Sequence, residues 1–420
     1  METRQLTWAA PVAGDGAAAI PPLLCSGFRP FYLTGPLFGM LAMGLWLWGF
    51  EGGTAALPAL FHSPEWHGHE MIFGFAGAIC GGFILTALPS WVGTPAVVGR
   101  PLACLVAAWG VGRIAVLCAP MLPPLVVACA DVIYFPLLVL AVMPCIRARR
   151  NRSFRLVLPI LGLFVAGNLL FHWGWVGGAP GLQRQGLLLG FYGLVALYCL
   201  FAGHLTPIFT ETWLREHGSE LTLRRRPVVE ALAMLSVMML AGLDISGAPA
   251  PLVSGAAASA AAFHALRMAA WRSSRIVRSP LLLPMHLGYA CLIGSFALQA
   301  AAAWTGTGSA VAVHAFTIGA WGLTKFSLLI RVSLKHTGRP LRVPPVLVVG
   351  LVWLALAALG RVAAGLGLWP EQLLRAAVVL WLVPMALYLL VFGLILARPS
   401  RPSTKETHHG NRQSARLGAP

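Results

Sequence analysis

The chain has 420 residues, of which 58% are hydrophobic and only 10% charged, and its formal net charge is +17. Because a water-soluble domain of this length has about a quarter of its residues charged, the composition excludes a soluble globular protein and indicates an integral membrane protein. The N-terminal residues lack a basic segment followed by a short apolar run. We therefore expect no cleavable signal peptide, and the first membrane span directs insertion.

Apolar runs of about 20 residues, the length that crosses a bilayer as a helix, recur between proline, glycine and charged clusters. They predict an all-α fold: a polytopic membrane protein built as a bundle of about 12 transmembrane helices. The seventh and eighth runs are rich in alanine and glycine and are joined by a short link, so the sequence predicts these two spans less strongly than the other ten. In chain order the predicted spans are Tyr32–Phe50, His69–Leu88, Leu102–Ala119, Leu122–Ile146, Leu156–Trp175, Leu187–Phe209, Val228–Ile245, Pro251–Trp271, Leu281–Trp304, Ser309–Arg331, Val343–Gly360 and Leu373–Leu396.

The basic residues predict the orientation of this bundle. With the N-terminus inside, 24 of the 30 lysines and arginines lie in cytoplasmic segments, the distribution that membrane insertion favours. We therefore predict a cytoplasmic segment over residues 1–31, a transmembrane domain over 32–397 and a disordered cytoplasmic tail over 398–420. The positive charge follows the membrane face without a nucleic-acid-binding motif, so the expected partner is the lipid bilayer and not a nucleic acid.

Histidines are concentrated near the predicted outer ends of the spans. Ionisable residues within a membrane are costly and mark functional sites, and neutral imidazole is both the commonest metal ligand and the usual axial ligand of haem iron. Several histidines at one depth therefore predict a metal centre near the outer leaflet, although each alone is also typical of a hydrogen-bonded core residue. The outer set is His62, His67, His69, His172 and His314.

The segment WHGHE contains His67 and His69. Residues two apart on an ideal helix point to nearly opposite sides. The nearby Pro64 and Gly68 favour a non-helical entry in which both histidines turn to one centre; alternatively, one faces the site and the other hydrogen-bonds outside it. Glu70 is expected either to orient an imidazole or to interact favourably with the helix N-terminus.

Two further charged residues lie within the predicted outer halves of spans. Arg113 of the third span is expected to pair with Asp131 of the fourth, or with the propionates of a haem. A structural ion pair without function explains the same residues. The sequence has no CxxCH motif, so any haem would be bound non-covalently.

Seven stretches, in order along the chain, resemble the NnrS family. They are GFRPFYL (27–33), WHGHEMIFGF (66–75), GGFILTALPSWVGTPAVVGRPL (81–102), TPIFT (206–210), HLGY (286–289), HAFTIGAWG (314–322) and RVSLKHTGRPL (331–341). The resemblance implies a multi-pass protein of the bacterial inner membrane that binds haem and copper and takes part in denitrification and in relief of nitric-oxide or nitrosative stress. The family positions it carries over are His67, His69, Glu70, His286, His314, Arg331, His336 and Arg339.

The chain departs from the family pattern at three places. His204 stands where the family usually has arginine, and Lys335 where it usually has glycine. The tenth span, which tends to be methionine-rich in the family, here contains Lys325. The loss of soft thioether groups weakens any copper assignment that would use them.

The leading hypothesis is a protein that holds haem b and copper and binds nitric oxide or another small neutral ligand. Whether it also turns that ligand over, and which electron donor serves it, stays open. One alternative is a secondary transporter; another is an electron-transfer subunit with bis-histidine haems, pairing His172 with His314 and His264 with His286. The expected metal ligands are His67, His69, His172, His314, His286 and His336, and the expected cofactor contacts are Arg113, Glu70, Arg331 and Arg339.

Overall fold

The computed structural model describes residues 20–51, 63–148 and 152–401. His62 and most of the two predicted terminal segments lie outside these residues. The described chain contains no strand, and its twelve long helices confirm the predicted all-α fold. The helices are α1 Phe28–Phe50, α2 Pro64–Val92, α3 Arg100–Leu117, α4 Pro124–Arg147, α5 Phe154–Val176, α6 Pro180–Glu216, α7 Pro227–Ile245, α8 Ala250–Ala269, α9 Leu283–Thr305, α10 Ala310–His336, α11 Pro345–Gly365 and α12 Pro370–Ala397.

Eleven of these helices are long and apolar enough to cross a membrane. The exception is α8, the alanine-rich helix that the sequence marked weakly, which packs between α7 and α9. The observed α2 and α6 extend beyond their predicted spans at both ends, because the polar residues that flank each apolar run remain helical. Each begins with proline at its first position, which suits a helix start.

Three helices form the centre of the bundle. Buried residues make up 89% of the apolar stretch of α2 and 78% of those of α6 and α10, against 22–44% for the other spans. Aromatic pairs join the three helices: Phe83 with Phe201, Tyr198 with Phe316, and Phe75 with Trp321, at centroid distances of 5.0, 5.6 and 5.3 Å. The inner helices are thus in mutual contact.

Each central helix is the second of four successive helices, so the chain divides into the groups α1–α4, α5–α8 and α9–α12. All three central helices are followed by a glycine in the left-handed conformation, namely Gly93, Gly218 and Gly338. A glycine there stops a helix without steric cost. The first and last helices also meet, because Arg29 donates hydrogen bonds of 2.7 Å to the carbonyls of Leu396 and Arg398.

Two of the central helices contain a π-helical segment. Glu70–Ala76 directly follows His69 in α2, and Ala315–Gly322 directly follows His314 in α10. Both segments share the spacing His-x4-Gly-x2-Gly, formed by His69, Gly74 and Gly77 and by His314, Gly319 and Gly322. Because π-helical turns are rare and frequently occur at functional sites, these segments mark the two histidines as candidate functional residues.

Candidate functional site

The WHGHE segment is helical from its first residues. Ser63 is the N-cap of α2, where its hydroxyl accepts a 3.0 Å hydrogen bond from the Trp66 amide, and Pro64 occupies the first helical position. Both are helix-start signals, so the predicted non-helical entry is wrong. His67 and His69 therefore point to different sides of α2 and contribute to two separate sites.

His67 faces a cavity of about 340 Å³ that is lined mainly by α1, α2, α10 and α12, with Arg361 from α11. Its ring lies nearly parallel to that of His314, at an interplanar angle of 12° and a centroid distance of 6.4 Å. The Trp46 ring packs against that of His67, with centroids 4.7 Å apart and planes tilted by 37°. Most of the wall is apolar, and Arg361 adds one positive charge. The apolar wall includes Met43, Trp46, Met71, Phe75, Trp321 and Trp381.

The two histidines of this cavity differ in how they are held. The Nδ1–H of His314 donates a 2.7 Å hydrogen bond to the carbonyl of Ala310, one turn earlier in α10. The Nε2 of His314 is then the nitrogen with a free lone pair. The Nδ1 of His67 is buried and has no hydrogen-bond partner among the described residues.

His69 belongs to a buried polar cluster between α2, α3, α4 and α5. His69 Nδ1 lies 2.7 Å from Glu70 Oε1, while its Nε2 lies 2.9 Å from Asn168 Oδ1 and 3.2 Å from Asp131 Oδ2. His172 Nε2 donates to Asp131 Oδ2 at 2.8 Å. We define the polar cluster as His69, Glu70, Arg113, Asp131, Asn168 and His172.

Arg113 connects the two carboxylates of the polar cluster. One guanidinium nitrogen donates to Glu70 Oε1 at 2.5 Å, and another forms an ion pair with Asp131 Oδ1. The structure thus contains the Arg113–Asp131 pair that the sequence suggested, and Glu70 lies where it can orient the His69 ring. The arginine contacts protein carboxylates and does not line the cavity beside His67.

The remaining predicted residues lie away from both sites. His336 is 22 residues after His314 in α10, which corresponds to about 33 Å of helix. Arg331 lies over the Phe209 ring at 3.9 Å, and Arg339 donates to the carbonyl of Thr337. Both ring nitrogens of His286 are hydrogen-bonded, to Thr210 and Ser273.

The histidine pairs suggested for an electron-transfer subunit are grouped differently in the structure. His172 meets His69, with ring centroids 5.2 Å apart, and His314 meets His67. His264 is hydrogen-bonded to the Tyr289 hydroxyl at 2.7 Å and to the carbonyl of Ala233. It belongs to a separate buried network in which Arg267 joins Tyr289 to Glu230.

Sequence reasoning missed two residues of these sites. Arg361 was placed beyond the end of the eleventh span, but α11 continues to Gly365 and places the arginine on the cavity wall. Asn168 was not predicted as a site residue, although a polar amide within an apolar span itself indicates a functional position. Lys325, the departure within α10, is buried with its ammonium 4.3 Å from the centre of the Phe83 ring.

A second, more polar cavity of about 400 Å³ lies between the ends of α6, α7, α8 and α9, beside Ser309 at the start of α10. Arg184, Asp244 and Gln299 line it, and Tyr192 donates a 2.6 Å hydrogen bond to Asp244. Ser309 lines both this cavity and the one beside His67, so the two are adjacent.

A comparison with protein-family models identifies the family of this chain. The family model described as NnrS protein matches residues 22–400, which include all twelve helices. The chain belongs to the NnrS family. Among curated proteins, none matches this chain. The family match and the eleven apolar helices together support a polytopic membrane protein.

Proposed function

We propose that this NnrS-family protein is a haem- and copper-containing protein of the bacterial inner membrane that acts in the response to nitric oxide and nitrosative stress during denitrification. The observation that carries the proposal is the pair of imidazoles, His67 and His314, that face each other beside an apolar cavity. The expected haem is of the b type, because the chain has no motif for covalent attachment.

The residues around this cavity fit a haem. His67 and His314, whose ring centres are 6.4 Å apart, are the residues that would hold the iron. The cavity volume is within the range of cofactor sites, and its aromatic wall suits a flat apolar macrocycle. Arg361 is the cation that would pair with a propionate.

The two histidines would hold the iron unequally. The ring orientation of His314 is fixed by its hydrogen bond to Ala310, whereas the Nδ1 of His67 has no such partner among the described residues. His67 would therefore be the less firmly oriented of the two ligands. Bound haem would supply an iron that passes single electrons or binds nitric oxide. The surrounding apolar side chains admit a small neutral molecule and exclude ions.

Copper is the second cofactor of the proposal. Its candidate donors are imidazoles, because α10 carries Lys325 where a methionine-rich stretch would have supplied thioethers. Imidazole nitrogen suits copper as it suits iron and zinc. Both ring nitrogens of His286 contact hydroxyl groups, those of Thr210 and Ser273, and no second candidate ligand is described beside it.

The nearly parallel His67 and His314 rings also support a second candidate, an electron-transfer subunit with a bis-histidine haem. The two candidates differ in copper content and in reactivity with nitric oxide. The electron-transfer subunit would contain no copper, and its reduced haem would keep both histidines when nitric oxide is added. The nitric-oxide protein would contain copper and bind the gas at the iron.

The test is an optical spectrum of the detergent-purified protein, oxidised and dithionite-reduced, with metal analysis of the same sample. We expect a haem b spectrum, copper near one equivalent, and a spectral change when nitric oxide is added to the reduced protein. Haem without copper and without this change would favour the electron-transfer subunit. Folded, monodisperse protein without haem or copper would contradict both candidates.

A further inference from the structure

We propose that His69, His172 and Asp131 form a second metal site, separate from the cavity of His67 and His314, that binds a divalent first-row transition-metal ion. Each residue offers one ligand atom, and these atoms lie within 4.8 Å of one another. They come from three different helices, α2, α4 and α5, and are at most 4% exposed. A site assembled from separate elements is held in place by the packing of the bundle.

The hydrogen bonds of His69 allow a cation at its Nε2. A neutral imidazole has one N–H, yet both ring nitrogens of His69 face oxygen atoms: Glu70 Oε1 at Nδ1, and Asn168 Oδ1 with Asp131 Oδ2 at Nε2. If Nδ1–H donates to Glu70, Nε2 carries a lone pair, which either the Asn168 amide nitrogen, after rotation of the amide, or a metal ion can meet. A metal ion would be bound there by the nitrogen together with the Asp131 oxygen.

The Glu70 contact is the one that a metal-binding histidine typically has. Metal-ligating imidazoles usually donate their second N–H to a carboxylate or carbonyl, which fixes the tautomer and the ring orientation. Glu70 Oε1 is 2.7 Å from Nδ1 of His69 and is itself held by Arg113 at 2.5 Å. The polar cluster thus provides both the ligand and the group that orients it.

The charges of the polar cluster also favour a bound cation. Glu70 and Asp131 contribute two negative charges and Arg113 one positive charge, so one negative charge is in excess when both histidines are neutral. A divalent ion would change this to one positive charge in excess, so the charges attract a cation without by themselves selecting a divalent one. Arg113 pairs with Asp131 Oδ1, while Oδ2 contacts the Nε2 atoms of His69 and His172 at 3.2 and 2.8 Å, so a metal ion bound there would replace the proton that His172 donates.

The donor set determines the class of metal. Two imidazoles and one carboxylate, with further coordination positions open, suit iron(II), zinc(II) or copper(II), whereas copper(I) prefers thiolate and thioether sulfur. None of the six residues of the polar cluster is cysteine or methionine. The metal site does not depend on bound haem, and it forms part of the proposed function only if its native ion is copper.

The experiment uses the full chain in detergent, treated with a chelator and then titrated with Co²⁺, whose visible d–d absorption reports coordination by imidazole and carboxylate. The variants are His172→Ala and Asp131→Asn, and the control is His204→Ala, a half-buried histidine hydrogen-bonded to Arg225. We expect one equivalent of Co²⁺ in the wild type, at least tenfold weaker binding in both variants, and no change in the control. Metal analysis of the untreated protein identifies the native ion.

The haem spectrum and the elution profile separate a lost site from a misfolded protein. If His172→Ala does not fold, His172→Gln replaces it, because a glutamine amide can still donate to Asp131. Equal Co²⁺ affinity in the wild type and both variants, or no Co²⁺ bands in wild-type protein that retains haem, would overturn the site. If the wild type contains no haem but binds Co²⁺, and the substitutions weaken that binding, the proposed function is overturned and the metal site is supported.

Discussion

His67 and His69 lie two residues apart on α2 and face different helices. The ring of His67 is 6.4 Å from that of His314 on α10, and the ring of His69 is 5.2 Å from that of His172 on α5. Positions two apart on a helix are turned by about 200°, so one short segment supplies a histidine to each of two candidate sites. This arrangement explains why two histidines and a glutamate stand together at the start of a membrane span.

The first prediction separates the two sites by substitution. His67→Ala is expected to lose haem, or to change its spin state, while Co²⁺ binding at the polar cluster is retained. His69→Ala is expected to weaken Co²⁺ binding at least tenfold while the haem spectrum is retained. Absorption spectra and Co²⁺ titrations of both variants provide the measurement. Loss of both properties in each variant would show that the two histidines serve one centre.

Arg361 is predicted to retain haem through its charge. Arg361→Gln removes a charge-assisted hydrogen bond worth about 1.5–3 kcal/mol, so haem should transfer to apomyoglobin at least tenfold faster than from the wild type. The matched control is Arg184→Gln, an exposed arginine near the same end of the bundle, which should leave the transfer rate unchanged. An unchanged rate in Arg361→Gln would remove this residue from the haem site.

Arg113 is predicted to be essential for stability. Arg113→Met leaves Glu70 and Asp131 buried without their cation, which should lower the free energy of unfolding by about 3–5 kcal/mol. Arg375→Met removes an exposed arginine paired with Glu51 and should cost at most about 1 kcal/mol. Thermal unfolding in detergent, followed by tryptophan fluorescence, compares the two. Similar unfolding temperatures would show that the polar cluster tolerates the lost charge.

Close packing of α5 on α6 is predicted to depend on glycine. A Cβ at Gly167 would lie 2.7 Å from the carbonyl oxygen of Gly186, whereas a Cβ at Gly162 on the same helix meets nothing within 4 Å. Gly167→Ala should therefore destabilise the protein by about 1–3 kcal/mol, whereas Gly162→Ala should leave the stability unchanged or raise it by up to about 1 kcal/mol, because alanine favours a helix over glycine. Because α5 carries Asn168 and His172, Gly167→Ala should also weaken Co²⁺ binding. Equal stability of the two variants would contradict the close contact.

The spans could be predicted from the sequence because their signal is local. A run of about 20 apolar residues such as Leu122–Ile146 needs no partner to be recognised, and basic residues mark the loops. The helix ends were harder to predict: Arg361 lies in α11 because the helix continues beyond Gly360 to Gly365. The pairing of Arg113 with Asp131 was also foreseen, since two opposite charges at similar depth in neighbouring spans are costly unless they meet.

The sequence by itself determined that the chain is a helical membrane protein of the NnrS family with histidines at one depth. Only the tertiary structure decided which histidines meet. Sequence spacing gives the direction of a side chain on its own helix, but not which helix stands opposite it. Because α2 lies beside α10 and α5 in the bundle, His314 lies beside His67 and His172 lies beside His69. That choice depends on contacts between residues 100 to 250 positions apart, which no local pattern records.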